Sequence, residues 1–372
     1  MISMKYYFFI FSMILIQGVN ARVLYQPLMT TRSLGMGGAS IALVRGVDSL
    51  YINPAALTFT EGYSFTLGEV QAAVGLNSSK ISSIQSNQGA TLTSSDMSSF
   101  YGNTLFSDVS AKSGMVFPNF GFGAYSSNYV HMKFNDPVFP TFNIDFVSDY
   151  GYVIAGALPL GPKTSFGVAG RHVKRWATEQ DFLVTSLVGG SLQNFLDTNI
   201  LSKGTGHALD LSFMTQLNGN LNPTLAVVWK DVGSTRFEPT AGVGPDRQAD
   251  NLIFGASIQH PFAYGHWTHA FEYNFITTNS VDLTKKIHFG SEVSFGLIDL
   301  RAGINQGYLT YGAAFDISFL RVEAASYALE LGNSAGQSKS DRYQASVSIN
   351  LDFDQAFKLS KDGKKRRLMQ RR

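Results

Sequence analysis

The chain has 372 residues, a formal net charge of +2, no cysteine, 15% charged residues and 13% aromatic residues. The absence of cysteine excludes disulfides, thiolate metal sites, a cysteine nucleophile and a lipidated N-terminal cysteine. The positive charge sits at the ends: without Lys5 and residues 361–372, which hold seven cations against one acid, residues 22–360 carry −5, so no nucleic-acid footprint is expected on the folded body.

The first element in chain order is a leader. Lys5 precedes a mostly apolar run over residues 6–16, then Gln17 and Gly18, then Val19-Asn20-Ala21 ahead of Arg22. A charged start, a short apolar run and a small-residue cleavage site predict a signal peptide over residues 1–21, cut after Ala21. Crossing a hydrocarbon core as a helix takes about 20 residues, more than this run offers. The 351 residues that follow contain no Pro/Ser-rich linker and no further apolar run of 18, which excludes transmembrane helices. Low charge with abundant glycine and aromatics fits a protein that meets lipid through alternate side chains.

Residues 22–62 form an N-terminal segment, and from residue 63 the pattern becomes an apolar–polar alternation in stretches of about ten residues. Strands are predicted over 63–74, 115–124, 130–134, 142–158, 166–168, 209–217, 225–229, 252–258, 267–275, 287–295, 298–304, 309–317, 320–328 and 342–353. The last is the clearest: Tyr343, Ala345, Val347, Ile349, Leu351 and Phe353 alternate with Arg342, Gln344, Ser346, Ser348, Asn350 and Asp352. The connections alternate in length. Tight ones are expected at Ser126-Ser127, Gly161-Pro162, Asn218-Gly219, residues 261–265, Gly296-Leu297 and Ser318-Phe319, and longer ones over 75–114, 135–141, 177–206, 232–250, 276–284 and 330–341, with 305–308 the exception. Short periplasmic turns alternating with long extracellular loops are a property of outer-membrane barrels and not of soluble sandwiches. The basic end, residues 354–372, is read as a periplasmic tail.

Little in the sequence carries chemistry. His260, His266 and His269 invite a metal, but His266 and His269 face opposite sides of a strand and fit an aromatic rim beside Trp267. No Gly-x-Ser-x-Gly, His-Glu-x-x-His or phosphate loop occurs, and no catalytic residue, cofactor or metal is expected. Two loop segments carry apolar residues at helical spacing, Met97, Phe100, Tyr101 and Leu105 in the first and Leu192, Phe195, Leu196 and Ile200 after Ser191 in the second. Such stripes must bury against something, either each other as a lid or a greasy ligand.

The N-terminal segment holds Arg32-Ser-Leu-Gly-Met-Gly-Gly-Ala-Ser40, with Gly35, Gly37 and Gly38, and Asp48-Ser-Leu-Tyr-Ile-Asn-Pro-Ala-Ala-Leu57, with Asn53 and Pro54. This combination resembles the FadL-type outer-membrane family, which includes long-chain fatty-acid transporters and the PorV proteins of type IX secretion. The stretches 229–237 and 300–309 are similar to segments of PorV-like relatives. The resemblance implies an all-β fold, a transmembrane antiparallel barrel of about 14 strands over residues 63–353 with residues 22–62 as a lumenal plug or hatch. A barrel of that size leaves a lumen too wide for wall side chains to fill. It also implies residence in the bacterial outer membrane, contact with its lipid, and passive uptake of a small hydrophobic, fatty-acid-like molecule. A PorV-like protein-binding scaffold and a porin-like structural barrel are the alternatives, the first with protein partners.

Hairpin register predicts where the hatch docks. A two-residue turn at Gly296-Leu297 sets Glu292 opposite Arg301 and Gly290 opposite Gly303, and the turn at Ser318-Phe319 sets Gly312 opposite Ala325 and Asp316 opposite Arg321. If Asn305 meets Thr310, Gly303 lies opposite Gly312 and Asp299 opposite Asp316. Inward glycines mark close approach by another backbone, so part of residues 35–57 is expected on the band Gly290, Gly303, Gly312 and Ala325, flanked by lumenal ion pairs Glu292–Arg301 and Asp316–Arg321.

Overall fold

The computed structural model describes residues 26, 28–60, 62–75, 104–134, 141–183 and 202–353. Alternation of small or polar with apolar side chains produces strands that close on themselves. In chain order these are β1 (Tyr63–Gly75), β2 (Thr104–Phe117), β3 (Phe120–Phe134), β4 (Thr141–Gly161), β5 (Thr164–Leu183), β6 (Ser202–Gln216) and β7 (Thr224–Lys230). They are followed by β8 (Phe237–Ala241), β9 (Asn251–Phe262), β10 (Gly265–Tyr273), β11 (Ile287–Ser294), β12 (Ile298–Asn305), β13 (Tyr308–Ile317), β14 (Leu320–Glu330) and β15 (Lys339–Phe353). Consecutive strands pair antiparallel except at β8, where β7 pairs with β9 and β8 with β6, and β1 pairs with β15 to close the ring. The result is a closed fourteen-strand antiparallel barrel, with β8 a short extra strand on the upper part of β6.

The wall is apolar outside and polar inside. Leu67, Val70, Ile154, Leu158, Leu300, Ile304 and Val347 are exposed, whereas Gln71, Lys112, Glu292, Arg301 and Arg342 are buried. In water this would be an inverted protein; in a bilayer the outer face meets hydrocarbon, as in outer-membrane barrels. Phe65, Phe117, Phe120, Phe122 and Phe353 form ring contacts near the end of the barrel with the tight turns. That arrangement matches one interfacial girdle.

The tight and long connections segregate to opposite ends as the sequence implies, with two corrections. The turn between β2 and β3 is at Pro118-Asn119, with Asn119 at φ 68°, and Ser126-Ser127 lies in mid-β3, paired with Ala111 and Ser110. Serines there read as turn residues, yet Ser127 points into the lumen and Asn128 accepts from the Ser148 hydroxyl at 2.7 Å. The second correction is the register of β12 on β13. Gln306 and Gly307, at φ 52° and 86°, make a two-residue type I′ turn, so Asn305 meets Tyr308, not Thr310. Gly303 therefore lies opposite Thr310, Arg301 opposite Gly312, and Asp299 opposite Ala314 and not Asp316.

Candidate lumenal site

Two capped turns shape the segment that precedes β1. The short helix α1 (Thr31–Gly35) starts where Thr30 accepts from the Ser33 N–H at 3.1 Å. It ends in a Schellman arrangement: Gly38 N–H donates to the Ser33 carbonyl at 2.8 Å and Gly37 N–H to Leu34 at 3.3 Å, with both glycines at positive φ. After α2 (Ser49–Ile52), Asn53 caps a 3-10 helix over Pro54–Phe59 by accepting from the Ala55 N–H at 3.1 Å, and Pro54 occupies the first position. Asn53 also donates to the Ile41 carbonyl at 2.7 Å, which ties the two turns together. Met36, Leu50, Asn53, Ala55, Ala56 and Leu57 have no more than 0% exposure.

The segment lies against the inward faces of strands around the barrel. An ideal Cβ on Gly290 would sit 2.2 Å from the Met36 carbonyl oxygen, one on Gly303 2.5 Å from the Gly37 nitrogen, and one on Gly312 3.1 Å from the Gly35 Cα. Ala325 packs with Leu34 and Tyr327. Gly37 N–H donates to the Thr310 hydroxyl at 3.1 Å, which in turn donates to the Gly35 carbonyl at 3.2 Å. Further round, Ser40 and Ile41 N–H groups donate to Glu272 at 2.7 and 3.0 Å, and the Ser257 hydroxyl to the Ala42 carbonyl at 3.3 Å. On the opposite wall Gly167 leaves room for the Pro54–Ala55 backbone, Gly114 and Gly121 for Val47 and Leu50, and Ala55 N–H donates to Ser212 at 2.8 Å. The inward glycines of β2, β3, β5 and β9 carry the same signal as those of β11 to β13.

Charge pairs fasten both halves. Arg32 grips Glu292 at 3.1 and 2.8 Å, and Glu292 also accepts from Arg301 at 2.7 Å. Arg301 reaches Glu323 at 3.0 Å, Arg321 reaches Glu323 and Asp299 at 2.8 Å, and Arg321 bonds Asp316. Asp299 thus joins the ladder through Arg321 although its ladder partner is Ala314. Asp48 and Glu69 share Lys112 at 2.8 and 3.1 Å. In a low-dielectric wall such groups persist only when paired.

Above the segment, on the side of the long connections, is a cavity of about 740 Å³. Leu28 and Tyr51 contribute its floor and Arg171, Arg175, Lys230 and Asp231 its walls. The Trp229–Phe237 stretch builds one side. β7 ends at Lys230, Asp231 turns at φ 52°, and the chain rejoins β6 only as β8. The turn is held by Val232 N–H on the Leu209 carbonyl at 2.8 Å, Asp231 N–H on Asp210 at 2.8 Å, and Arg171 bridging Asp210 and Asp231 at 3.0 and 2.9 Å. Lys230 donates to the Tyr51 carbonyl at 3.3 Å, so wall and segment meet at the cavity floor. Sequence reasoning did not single out Arg171, Asp210 or Lys230, because single charges in strands have no local motif.

Met97, Phe100, Tyr101, Leu192, Phe195, Leu196 and Ile200 lie outside the described residues. Leu105 is corrected: it is the second residue of β2 and buried, not part of a loop helix. Outside the membrane span, Thr284 donates its hydroxyl and backbone N–H to Asp282 at the start of α3 (Leu283–Lys286), which holds that carboxyl below its usual range. His266 is buried and inward, while His269 lies on the outer side against Trp267 with ring centroids 4.7 Å apart. Among the described residues no cluster of three metal-ligating side chains occurs.

The fold and its interior define an integral β-barrel membrane protein with chain inside its lumen. No family model and no curated protein matches the chain. Among solved structures it resembles a deletion mutant of TodX, a monoaromatic hydrocarbon channel, at 15% identity over 87% of this chain and 99% of that one, with a TM-score of 0.55. It also resembles the Ralstonia pickettii toluene transporter TbuX at 14% identity over 87% and 98%, with a TM-score of 0.50. The chain shares the barrel fold of these two proteins.

Proposed function

We propose that the chain mediates passive uptake of small hydrophobic molecules across the outer membrane, with residues 28–60 acting as the hatch. The observation that carries this reading is the cavity of about 740 Å³ that ends on Leu28 and Tyr51, a size suited to one small ligand. Leu28 and Tyr51 at its base, below walls that carry acids and cations together, leave room for a small greasy molecule. The hydrocarbon and toluene named for TodX and TbuX support a hydrophobic ligand. In this reading the apolar loop residues Leu192, Phe195, Leu196 and Ile200, with Met97, Phe100 and Tyr101, capture the ligand first. The barrel is then a conduit with no catalytic residue.

Opening has an energetic constraint. Ejecting the whole segment separates Arg32 from Glu292 and Asp48 from Lys112, leaving Glu292 only Arg301 and Lys112 only Glu69 as ion-pair partners. Local movement of one turn is cheaper than withdrawal. The chain has no native cysteine, so Leu34→Cys with Ala325→Cys makes a unique tether between side chains that pack together. In cells expressing this barrel, oxidation of the tether is expected to reduce uptake of a fluorescent fatty acid to background, and reduction to restore it. Undiminished uptake through a fully cross-linked protein would show that the hatch does not move. No uptake by the correctly inserted, untethered protein would favour the protein-binding scaffold.

A further inference from the structure

Among the described residues the outer wall is mostly apolar, and a polar and aromatic patch interrupts it on β4, β5 and β6. Outward along β5 come His172, Lys174 and Trp176. Their ladder partners are Tyr152, Tyr150 and Ser148 on β4 and His207, Thr205 and Lys203 on β6. Lys174 lies 5.9 Å from the Tyr150 ring centroid and Lys203 5.0 Å from that of Trp176. The Tyr152 and His172 rings stack at 4.9 Å, and the His207 ring adjoins His172 at 4.8 Å, tilted by 51°. Tyr150, Tyr152 and Trp176 are 39%, 53% and 40% exposed, so an aromatic platform and two ammonium groups face the membrane side.

The height of the patch decides what it meets. Below it, Phe166 opposes Phe213 and Gly170 opposes Leu209, which are apolar rows. Lys174 is eight residues above Phe166, roughly 26 Å along a strand and roughly 20 Å in height at barrel tilt. The apolar band of such barrels is about 25 Å tall. With Phe166 near its lower edge, Lys174 lies just within the upper edge, its ammonium able to snorkel to the headgroups, and Trp176 lies at that edge on the long-connection side. The two lysines occupy diagonal positions on adjacent strands, about 7–8 Å apart at Cβ, within joint reach of one phosphate.

Among the described residues neither lysine forms an ion pair. Glu238, opposite Thr205, is the acid on the adjoining ladder and bonds neither, and Asp250 is engaged by Trp229 and Ser234. The contrast is Lys339, which also lies over an aromatic ring, Tyr308, but is neutralised by Asp341 at 2.6 Å.

We propose that this face binds a phosphorylated glycolipid of the outer leaflet, of the lipid A class. Lys174 and Lys203 hold one phosphate, and the Tyr150, Tyr152 and Trp176 rings pack on the sugar and the upper acyl chains. Aromatic girdle residues favour that depth, and cationic groups between strands select anionic headgroups. The site is independent of the uptake reading, since every residue in it faces away from the lumen.

The test uses the full chain in phosphatidylcholine nanodiscs doped with bisphosphorylated lipid A, dephosphorylated lipid A or phosphatidylglycerol, with retained lipid counted by native mass spectrometry. Phosphorylated lipid A is expected to be retained at least tenfold over both competitors. The Lys174→Gln/Lys203→Gln double variant should lose that preference, while Lys339→Gln keeps it. Equal retention of dephosphorylated lipid A by the wild-type protein would overturn the proposal without any variant. Equal retention of phosphatidylglycerol would overturn the glycolipid assignment, and an unaltered preference in a heat-modifiable, folded double variant would overturn the role of the lysines.

Discussion

At the scale of single residues, glycines in the wall divide by what stands opposite their missing side chain. Gly290 and Gly303 have hatch backbone where a Cβ would go, whereas Gly170, which faces outward, has nothing within 4 Å. A methyl group at Gly290 would lie 2.2 Å from a carbonyl oxygen, so Met36 must move. Strand pairing of β11 with β10 and β12 uses backbone groups and can survive. Gly290→Ala is therefore expected to leave the barrel closed but to expose the Arg32 and Arg45 peptide bonds, raising the trypsin cleavage rate several-fold in the purified protein. Gly170→Ala should match the wild type. Equal protection in both would mean that the segment does not rest on this wall.

At the scale of elements, what was legible followed from periodicity and what was not followed from local turn chemistry. Residues 342–353 alternate without interruption, and β15 has those inward and outward faces. The β11–β12 and β13–β14 pairs keep the expected partners because Glu292 meets Arg301 and Asp316 meets Arg321 across short turns. β12 on β13 differs by two residues, since two turn residues in left-handed conformation shorten the loop that a sequence count allows. The far half of the hatch contact was illegible for the same reason: with the turn placed at Ser126-Ser127, Gly114 fell in a loop and Gly121 and Gly123 in a strand, 115–124, that runs across the true turn at Pro118-Asn119. The β12–β13 turn has its own test. A β-branched residue in the left-handed region costs about 1–2 kcal/mol, and Gly307 adds a Cβ contact at 3.0 Å to Ala335. Gly307→Val should lower stability by about that amount in urea titration of the reconstituted barrel, and Gln306→Asn should hold it. An unchanged midpoint for Gly307→Val would contradict the I′ assignment.

At the scale of the whole molecule, orientation follows from which end carries the long connections. Turns at Pro118-Asn119, Pro162-Lys163, Ala263-Tyr264 and Ser318-Phe319 lie at the end where β1 begins and β15 finishes, since Tyr63 pairs with Phe353. The connections spanning 76–103, 184–201 and 231–250 leave from the other end, where the cavity and the Lys174 patch also lie. Bacterial barrels place their short turns in the periplasm and their longer loops outside. A protease site inserted at Gly190 should be cut on intact cells. One at Asn218, in the connection from β6 to β7 at the short-turn end, should be cut only after the outer membrane is permeabilised. Cleavage at Asn218 on intact cells with protection at Gly190 would invert the barrel. The inversion would place the cavity in the periplasm, and it would place Lys174 and Lys203 in the leaflet that holds phospholipid instead of glycolipid.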